Sequence, residues 1–321
     1  MKDKNFGVCP LCNSLESKAL FSAETAFSKF HIAQCKVCEL ARTLPFHSED
    51  VFRLYDINSY YGRDKNKFSP LIQVIRNLTM HRRAKKYLSL VSHTFQRPKV
   101  LDVGCAEGRL LKSFLEYGCQ CWGIEHPSYP AYRFLDKDRI LYIQGDLQDI
   151  NFRKGQFDLI FLWHTLEHMD NPQLVMNRLC GLLAPKGAII VAVPNFSSIE
   201  AQRFKQFWFH LDIPWHKYHF NERSIRFLAK KNRLRVFKMS TLCFEQGPYG
   251  LLQSIFNAMG WPKNEFYEVL KGNMIQRRSV YIIIQFFLGI VLSIPVSLVS
   301  LLQSSMGKGP VLKLIFRSFK E

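Results

Sequence analysis

The stretch KVLDVGCAEGRLL, residues 99–111, decides the fold because it joins a strand, a glycine turn and a helix without interruption. Its apolar start is typical of a buried strand, and residues 107–118 continue with helical periodicity up to Gly118, a good helix stop. Gly104 and Gly108 allow a tight turn and a close approach to a ligand, while the start of the helix offers free N–H groups. The stretch therefore predicts a ligand-binding turn at the end of a strand.

Further strands and helices are predicted to follow in alternation. The predicted strands are 119–125, 139–146, 157–163, 187–195, 233–240 and, at the end of the chain, 309–320. The predicted helices are 81–95, which is basic and amphipathic, 171–187 and 221–232. Strands that alternate with helices indicate a parallel, doubly wound, Rossmann-like α/β sheet.

The charge of the chain points to an anionic partner. Its 321 residues carry a formal net charge of +18, and 47% are hydrophobic, enough for a sizeable core. Nucleic acid, an anionic membrane surface or a phosphorylated substrate would suit this charge, and a basic soluble surface without such a partner is the alternative. The start MKDKNFGVCP lacks an apolar segment, so we expect a cytoplasmic protein with reduced cysteines.

Acidic residues follow the second and third predicted strands. Glu125 lies 23 residues after Asp102, where an acid can accept both ribose hydroxyls of a nucleoside, and Asp146 ends the next strand. The turn D-x-G-C-x-x-G lacks the middle glycine that a dinucleotide pyrophosphate needs, which argues against NAD.

Together these residues resemble the class I S-adenosylmethionine-dependent methyltransferases over residues 96–240 and the last dozen. The resemblance implies that the turn holds the methionine part of the cofactor, Glu125 the ribose and Asp146 the adenine amino group. The cofactor site that it implies comprises Asp102, Gly104, Cys105, Gly108, Glu125, Asp146, Leu147 and Trp163.

The segment HTLEH, residues 164–168, follows the fourth strand of this series. H-x-x-E-H occurs in zinc peptidases, but such a site needs a long helix and a third ligand, and Asp170–Pro172 ends any helix here. LWHTLEHMDNP instead resembles the same segment in ubiquinone-type and sugar methyltransferases. Their E-x-x-E-H version can hold a divalent metal. Because His164 replaces the first glutamate, the sequence leaves that metal open.

Histidines supply the candidate bases. A hydroxyl nucleophile benefits from a base whose pKa lies near the working pH, which suits histidine. His164 is one candidate, and His168, four residues later, is a candidate structural residue. The segment DIPWHKYHF, residues 212–220, adds His216 and His219 and resembles a P-x-H-x-x-x-F segment of these methyltransferases. A structural hydrogen-bonding role is the alternative for each.

The N-terminal cysteines predict a structural zinc ribbon. Cys9, Cys12, Cys35 and Cys38 form C-x2-C-x22-C-x2-C, and two such turns supply four thiolates to one tetrahedral zinc. A redox CxxC is the alternative. Sugar C-methyltransferases resemble this chain in carrying such a module. Its role, in substrate recognition or in support, stays open, and the other five cysteines are predicted core residues.

A long uncharged stretch precedes the last strand, from Ser279 to Gly307. A single span would separate that strand from its sheet, and basic residues flank both ends. Pro295 interrupts the stretch, and residues 280–294 would rise only about 22 Å as a helix. We therefore expect a hairpin dipping into one leaflet, with a buried helical pair in a soluble core or dimer interface as the alternative.

These elements predict five parts and one leading function. The parts are a zinc ribbon (1–45), a helical linker and cofactor lid (46–95), the methyltransferase core (96–242), a membrane-associated helical insertion (243–307) and the final strand (308–321). The leading function is methylation of a small or lipid-linked acceptor, such as a saccharide intermediate or a quinone-like compound, at the inner face of the cell membrane. An RNA methyltransferase and a non-catalytic membrane adaptor are the alternatives. Nucleic acid is disfavoured because the plain Pro194–Asn195 after the fifth strand differs from N-P-P-Y. The acceptor atom and the oligomeric state stay open.

Overall fold

A computed structural model describes residues 6–25, 28–45, 70–91, 96–127, 136, 138–270 and 280–319. The chain divides into two compact units. The first comprises Met1–Lys67, Val193–Phe227 and Ser240–Lys313, and the second Phe68–Ala192, Leu228–Met239 and Leu314–Glu321. Residues 46–69 and 92–95 of the predicted helical linker lie outside the described residues.

The seven-stranded sheet has the order β10-β11-β8-β7-β4-β5-β6. Its strands are β4 (Lys99–Val103), β5 (Gln120–Glu125), β6 (Leu141–Gln144), β7 (Phe157–Trp163), β8 (Leu183–Pro194), β10 (Leu234–Ser240) and β11 (Val311–Ser318). β4 pairs in parallel with both β5 and β7, and β5–β6 and β7–β8 are also parallel. The predicted α/β fold is thereby confirmed, including the last strand, which lies between β10 and β8.

Four helices precede or connect these strands along the chain: α1 (Pro70–Leu88), α2 (Arg109–Glu116), α3 (Pro172–Leu182) and α5 (Glu222–Lys231). α1 begins and ends earlier than the predicted 81–95, and α3 ends earlier than the predicted 171–187, because residues 183–187 belong to β8. Gly108 is the N-cap of α2 in a left-handed conformation, with φ 77°. Asn171 caps α3 by accepting the N–H groups of Gln173 and Leu174. Phe114 of α2 packs on Phe161 of β7, so the core lies between helix and sheet.

A second, four-stranded sheet belongs to the first unit, with the order β1-β2-β3-β9. Its strands are β1 (Ser17–Glu24), β2 (Lys29–Cys35), β3 (Ala41–Leu44) and β9 (Tyr218–His219). The first three come from the cysteine-rich segment, whereas β9 comes from far along the chain and pairs Ala41 with His219. The cysteine-rich segment is therefore built into the same unit as the segment that follows β8.

The remaining helices of the first unit are α4 (Ile199–Phe204), α6 (Gly247–Ala258), α7 (Glu265–Leu270) and α8 (Val280–Ser305). The expected hairpin in the apolar stretch is wrong, because α8 runs through Pro295 as a single helix. Pro295 lacks one N–H donor, but the helix is held on both sides of it. Before Pro295, Gln285 Nε2 donates to Glu265 Oε2 at 2.9 Å. After it, Val296 is buried and Thr241 Oγ1 donates to the Ser304 carbonyl at 2.9 Å.

Candidate functional site

The glycine turn has the close backbone approach that its sequence predicted. Gly104 has φ 78°, a left-handed conformation that favours glycine. A Cβ at this position would collide with the side chain of Thr165. The N–H groups of Gly104 and Cys105 donate to the carbonyl of Ile124 at 2.8 and 3.2 Å. The turn after β4 is therefore pressed between the end of β5 and the HTLEH segment after β7.

Glu125 closes the other side of this turn. Its carboxylate accepts the N–H of Ala106 at 2.7 Å and the N–H of His126 at 2.8 Å. Burial raises its pKa, although these two hydrogen bonds oppose the rise. A buried carboxylate held by backbone donors at the end of a strand is placed to accept ligand hydroxyls.

Asp102 is a second buried carboxyl group at the end of β4. Burial raises the pKa of Asp102 to about 7, the charge of Glu125 adds to the rise, and the charge of Arg83 opposes it. Cys105 lies in the field of both carboxylates, and burial raises its pKa well above the ordinary value for a thiol. Two acidic groups and one cation thus share a small buried volume at this edge.

Arg83 is the residue here that the sequence analysis missed. It lies on α1, it is buried, and its guanidinium stacks on the Trp163 ring at 3.5 Å. Such a contact stabilises both groups when water is excluded. The signal was an arginine next to Ala84 and four residues before Tyr87, both of which α1 buries, whereas the whole segment 81–95 was interpreted only as basic and amphipathic.

Asp146 and Leu147 follow β6, the strand next to β5 in the sheet. The N–H of Gly145 donates to the Glu125 carbonyl at 3.0 Å, so this strand end adjoins Glu125. Leu147 is buried, whereas Asp146 is exposed and accepts the N–H of Gln148 at 2.8 Å. Leu147 would thus give a ligand site at this strand end an apolar surface, and Asp146 would give it a hydrogen-bond acceptor at the edge.

HTLEH forms one short 3-10 turn, Leu166–His168, after β7. His164 precedes that turn with φ 55°, and its N–H donates to the Ala192 carbonyl at 2.8 Å. Its ring Nδ1 lies 3.3 Å from Oε1 of Glu167, which is fully buried. His164 and His168 therefore do not share a helix face, as a zinc peptidase helix would require.

The His164–Glu167 pair is typical of an oriented base. A carboxylate at one ring nitrogen fixes the tautomer and stabilises the imidazolium that forms when the other nitrogen takes up a proton. Trp163, next in the chain, lies edge-on to the His164 ring with centroids 6.3 Å apart. His164 was a candidate base from the sequence, whereas its contact with Glu167 is seen only in the structure.

His216 and His219 lie in the first unit. His216 Nδ1 contacts the His210 carbonyl at 2.9 Å, and His219 Nε2 contacts Thr43 Oγ1 at 2.9 Å. Burial lowers the pKa of His219 to about 3, and the neighbouring His216 adds to this shift. These contacts suit His219 for joining β9 to β3. Catalytic roles for both residues stay predictions.

The four N-terminal cysteines converge. Their Sγ atoms all lie within 4.8 Å of one another. Cys9 and Cys38 are 3.5 Å apart, and Cys12 and Cys35 are 3.4 Å apart. Zinc–sulfur bonds of about 2.3 Å give a tetrahedron with edges of about 3.8 Å, so these positions fit one zinc ion. The hydrogen bond from Cys38 lowers the pKa of Cys9 to about 5, which favours the thiolate that a metal needs.

Comparison with known proteins identifies the family of the chain. A family model described as a methyltransferase domain matches residues 76–238, just over half of the chain. That range contains the glycine turn, Glu125, Asp146 and the HTLEH segment.

Two curated relatives and one solved structure extend this result. A ubiquinone biosynthesis O-methyltransferase from Vibrio vulnificus (strain YJ016) is 24% identical over 225 residues, which cover 66% of this chain and 89% of that protein. A candidate tocopherol O-methyltransferase from Oryza sativa subsp. japonica is 31% identical over 116 residues, 33% of this chain and about a third (32%) of that protein. A candidate sarcosine dimethylglycine methyltransferase from Galdieria sulphuraria has a TM-score of 0.51 at 15% identity, covering 84% of this chain and 98% of that one. At that identity the likeness concerns the fold.

Proposed function

The chain belongs to the methyltransferase domain family, and on that premise we propose that it transfers a methyl group from S-adenosylmethionine to a small or lipid-linked acceptor. The observation that carries the proposal is the contact between two turns. The glycine turn after β4 and the HTLEH turn after β7 meet at Gly104 and Thr165. This contact supports placing the proposed cofactor-binding loop and the proposed histidine base at one edge of the sheet, where ligands of doubly wound folds bind.

The cofactor supplies an electrophilic methyl group on a sulfonium. Residues of this chain that would hold it are the backbone of the Asp102–Gly108 turn for the methionine part and Glu125 for the ribose hydroxyls. Asp146 and Leu147 would hold the adenine, and Trp163 would border the site. The hydrogen bonds of Glu125 to Ala106 and His126 keep its carboxylate in place before any ligand arrives. Holding the reactants in line contributes much of the rate in such displacements.

His164 would act as the base for the acceptor. With Nδ1 held by Glu167, its Nε2 is the nitrogen that accepts a proton from the acceptor O–H or N–H. The buried Glu167 carboxylate then stabilises the imidazolium, and the proton leaves to water. His216 and His219 are proposed as additional acceptor-binding groups. The four cysteines are proposed to hold a structural zinc, whose four thiolate ligands would fasten the turns on either side of β1 and β2.

The names of the relatives and the apolar helix support an acceptor class. The relatives are named as a ubiquinone biosynthesis O-methyltransferase and a candidate tocopherol O-methyltransferase, and α8 is long and apolar enough to cross a membrane by length and composition. We therefore propose a small or lipid-linked acceptor, quinone-like or saccharide, at the inner face of the cell membrane. An RNA substrate would suit the +18 charge, and it is the second candidate.

One experiment separates these functions. Purified full-length protein is incubated with methyl-labelled S-adenosylmethionine and either a membrane lipid extract, a soluble metabolite extract or total RNA, and the labelled products are identified by mass spectrometry. We expect label in a lipid-soluble or small product. Label in RNA would replace the proposed acceptor. Absence of label in all three, together with absence of cofactor binding, would contradict methyl transfer and favour an adaptor that keeps the fold.

A further inference from the structure

Helix α8 has an apolar exposed side and a mixed buried side, unlike a helix on a water-soluble protein. Gln285, Ser300, Gln303 and Ser304 are buried together with Val296, and Ile282, Leu288 and Leu292 are half-buried. Its exposed side is almost entirely apolar and comprises Ile283, Ile284, Phe286, Phe287, Ile290, Val291, Ile294, Leu298, Leu301 and Leu302. In water the exposed apolar surface would cost free energy, whereas buried polar groups are tolerated where they are hydrogen-bonded. This arrangement indicates that water is not the medium of the exposed side.

The buried side of α8 is fastened at both ends within the first unit. Near its start, Gln285 Nε2 donates to Glu265 Oε2 of α7 at 2.9 Å. Near its end, Thr241 and Ser304 exchange hydrogen bonds, with Thr241 Oγ1 donating at 2.9 Å and Ser304 Oγ donating at 3.2 Å. Between these points Val296 packs in the cluster that includes Phe256 and Phe266. The helix thus lies along its own unit over its full length and does not project from it.

The exposed side is too wide for a single partner helix. With 3.6 residues per turn, the positions from Ile283 to Leu302 that are exposed cover more than half of the circumference. In the most apolar part of α8, only 11% is buried, and the mean hydropathy of that part is 2.5. A second copy of this chain would cover one stripe of such a surface, whereas lipid acyl chains would cover all of it.

Charge identifies the kind of bilayer. No Asp, Glu, Lys or Arg occurs between Val280 and Ser305, whereas Arg277 and Arg278 precede this range and Lys308 follows it. The whole chain carries +18. Basic residues at both ends of an apolar helix fit anionic headgroups on one side of a membrane.

We propose that α8 lies in the plane of one leaflet of an anionic bilayer, with its apolar side in the boundary between headgroups and acyl chains and its buried side on the protein. The 26 residues of α8 would be about 39 Å long, but its two fastened ends argue against a span. The proposal deepens the membrane location proposed above, and it does not depend on the methyl-transfer reaction.

The test is vesicle flotation of the full-length protein and of two double variants. Ile290→Glu/Ile294→Glu changes residues that are 75% and 72% exposed on α8, so that packing within the unit is untouched. The matched control, Leu141→Glu/Leu174→Glu, changes residues that are 56% and 54% exposed in the second unit. The vesicles contain phosphatidylcholine with or without phosphatidylglycerol, and circular dichroism verifies that all three proteins are folded.

We expect the native protein and the control to float with anionic vesicles and to be released by detergent but only in part by high salt. The α8 variant should partition roughly a hundredfold more weakly or worse, because each apolar side chain withdrawn from lipid costs about tenfold or more. Equal binding of both variants to the vesicles, or complete release of the native protein by salt, would contradict insertion of α8 into lipid. A different result would also contradict it: the native protein does not bind vesicles and sediments as a dimer in ultracentrifugation, whereas the α8 variant sediments as a monomer.

Depth measurements test the orientation. Tryptophans introduced singly at Ile283 and Leu302 would be about 28 Å apart along the helix axis. Quenching by lipids brominated at defined depths should place both at the same shallow depth, after subtraction of the native fluorescence. Clearly different depths would overturn the in-plane orientation in favour of a span. Cofactor binding measured without vesicles keeps this outcome separate from the enzymatic proposal.

Discussion

Replacing Asp102 by asparagine should stabilise the cofactor-free protein above neutral pH. Burial, followed by the charge of Glu125, raises the pKa of Asp102 from 3.8 to about 7, against the opposing charge of Arg83. An acid whose pKa is higher in the folded chain than in the unfolded chain binds its proton more tightly when folded. Its contribution to stability is therefore complete below pH 4 and is lost as the pH rises to about 7.

The magnitude follows from the shift. One pKa unit corresponds to about 1.4 kcal/mol, so a rise from 3.8 to about 7 corresponds to at most about 4 kcal/mol. The amide of asparagine keeps the shape but loses the charge, and it leaves Arg83 without one of its charged neighbours. We expect a net gain of roughly 1–3 kcal/mol at pH 8 relative to the native protein, and no gain at pH 4.

The assay is urea unfolding of both proteins at pH 4, 6 and 8, with Asp146→Asn as the matched control because Asp146 is exposed. The difference in unfolding free energy between Asp102→Asn and the native protein should grow with pH, whereas that of the control should stay flat. A difference that is independent of pH, or that falls as the pH rises, would refute the account of Asp102 as a buried carboxyl group with a raised pKa.

Further outcomes are expected for four single substitutions. Glu125→Ala should weaken binding of S-adenosylmethionine roughly ten- to a hundredfold in calorimetry, since it removes a charged hydrogen-bond acceptor; unchanged affinity would contradict its ribose role. Cys9→Ser should release one equivalent of zinc, measured by elemental analysis, and unfold the N-terminal sheet, and finding no zinc in freshly reduced native protein would count against the ribbon. His164→Ala should lower turnover about 10²–10⁴-fold without weakening cofactor binding, whereas Glu167→Gln should lower turnover less and change the pH profile. Near-normal turnover of the His164→Ala variant with the identified acceptor would exclude His164 as the base.

Local signals account for the parts of the site that the sequence predicted. The glycine turn depends on a few neighbouring residues whose backbone requirements appear directly in the chain. The central strand β7 is an almost continuous apolar run, as burial on both faces requires. The acid at Glu125 followed from its position at the end of such a run.

Long-range contacts account for what the sequence did not predict. The stacking of Arg83 on Trp163 joins residues 80 positions apart, and the pairing of β9 with β3 joins segments more than 170 positions apart. The role of Glu167 depends on its complete burial, which is a property of the packed turn. The single helix through Pro295 depends on the bonds that Thr241 makes beyond it.

The sequence by itself thus determined the α/β fold, the glycine turn, the four converging cysteines and an apolar segment before the last strand, because each is written in residue type and spacing within one element. Only the tertiary structure decided which carboxyl groups are buried together, that His164 is held by Glu167, and that the exposed side of α8 is apolar. Those outcomes depend on which surfaces lose water when distant segments pack, and no local pattern records that loss.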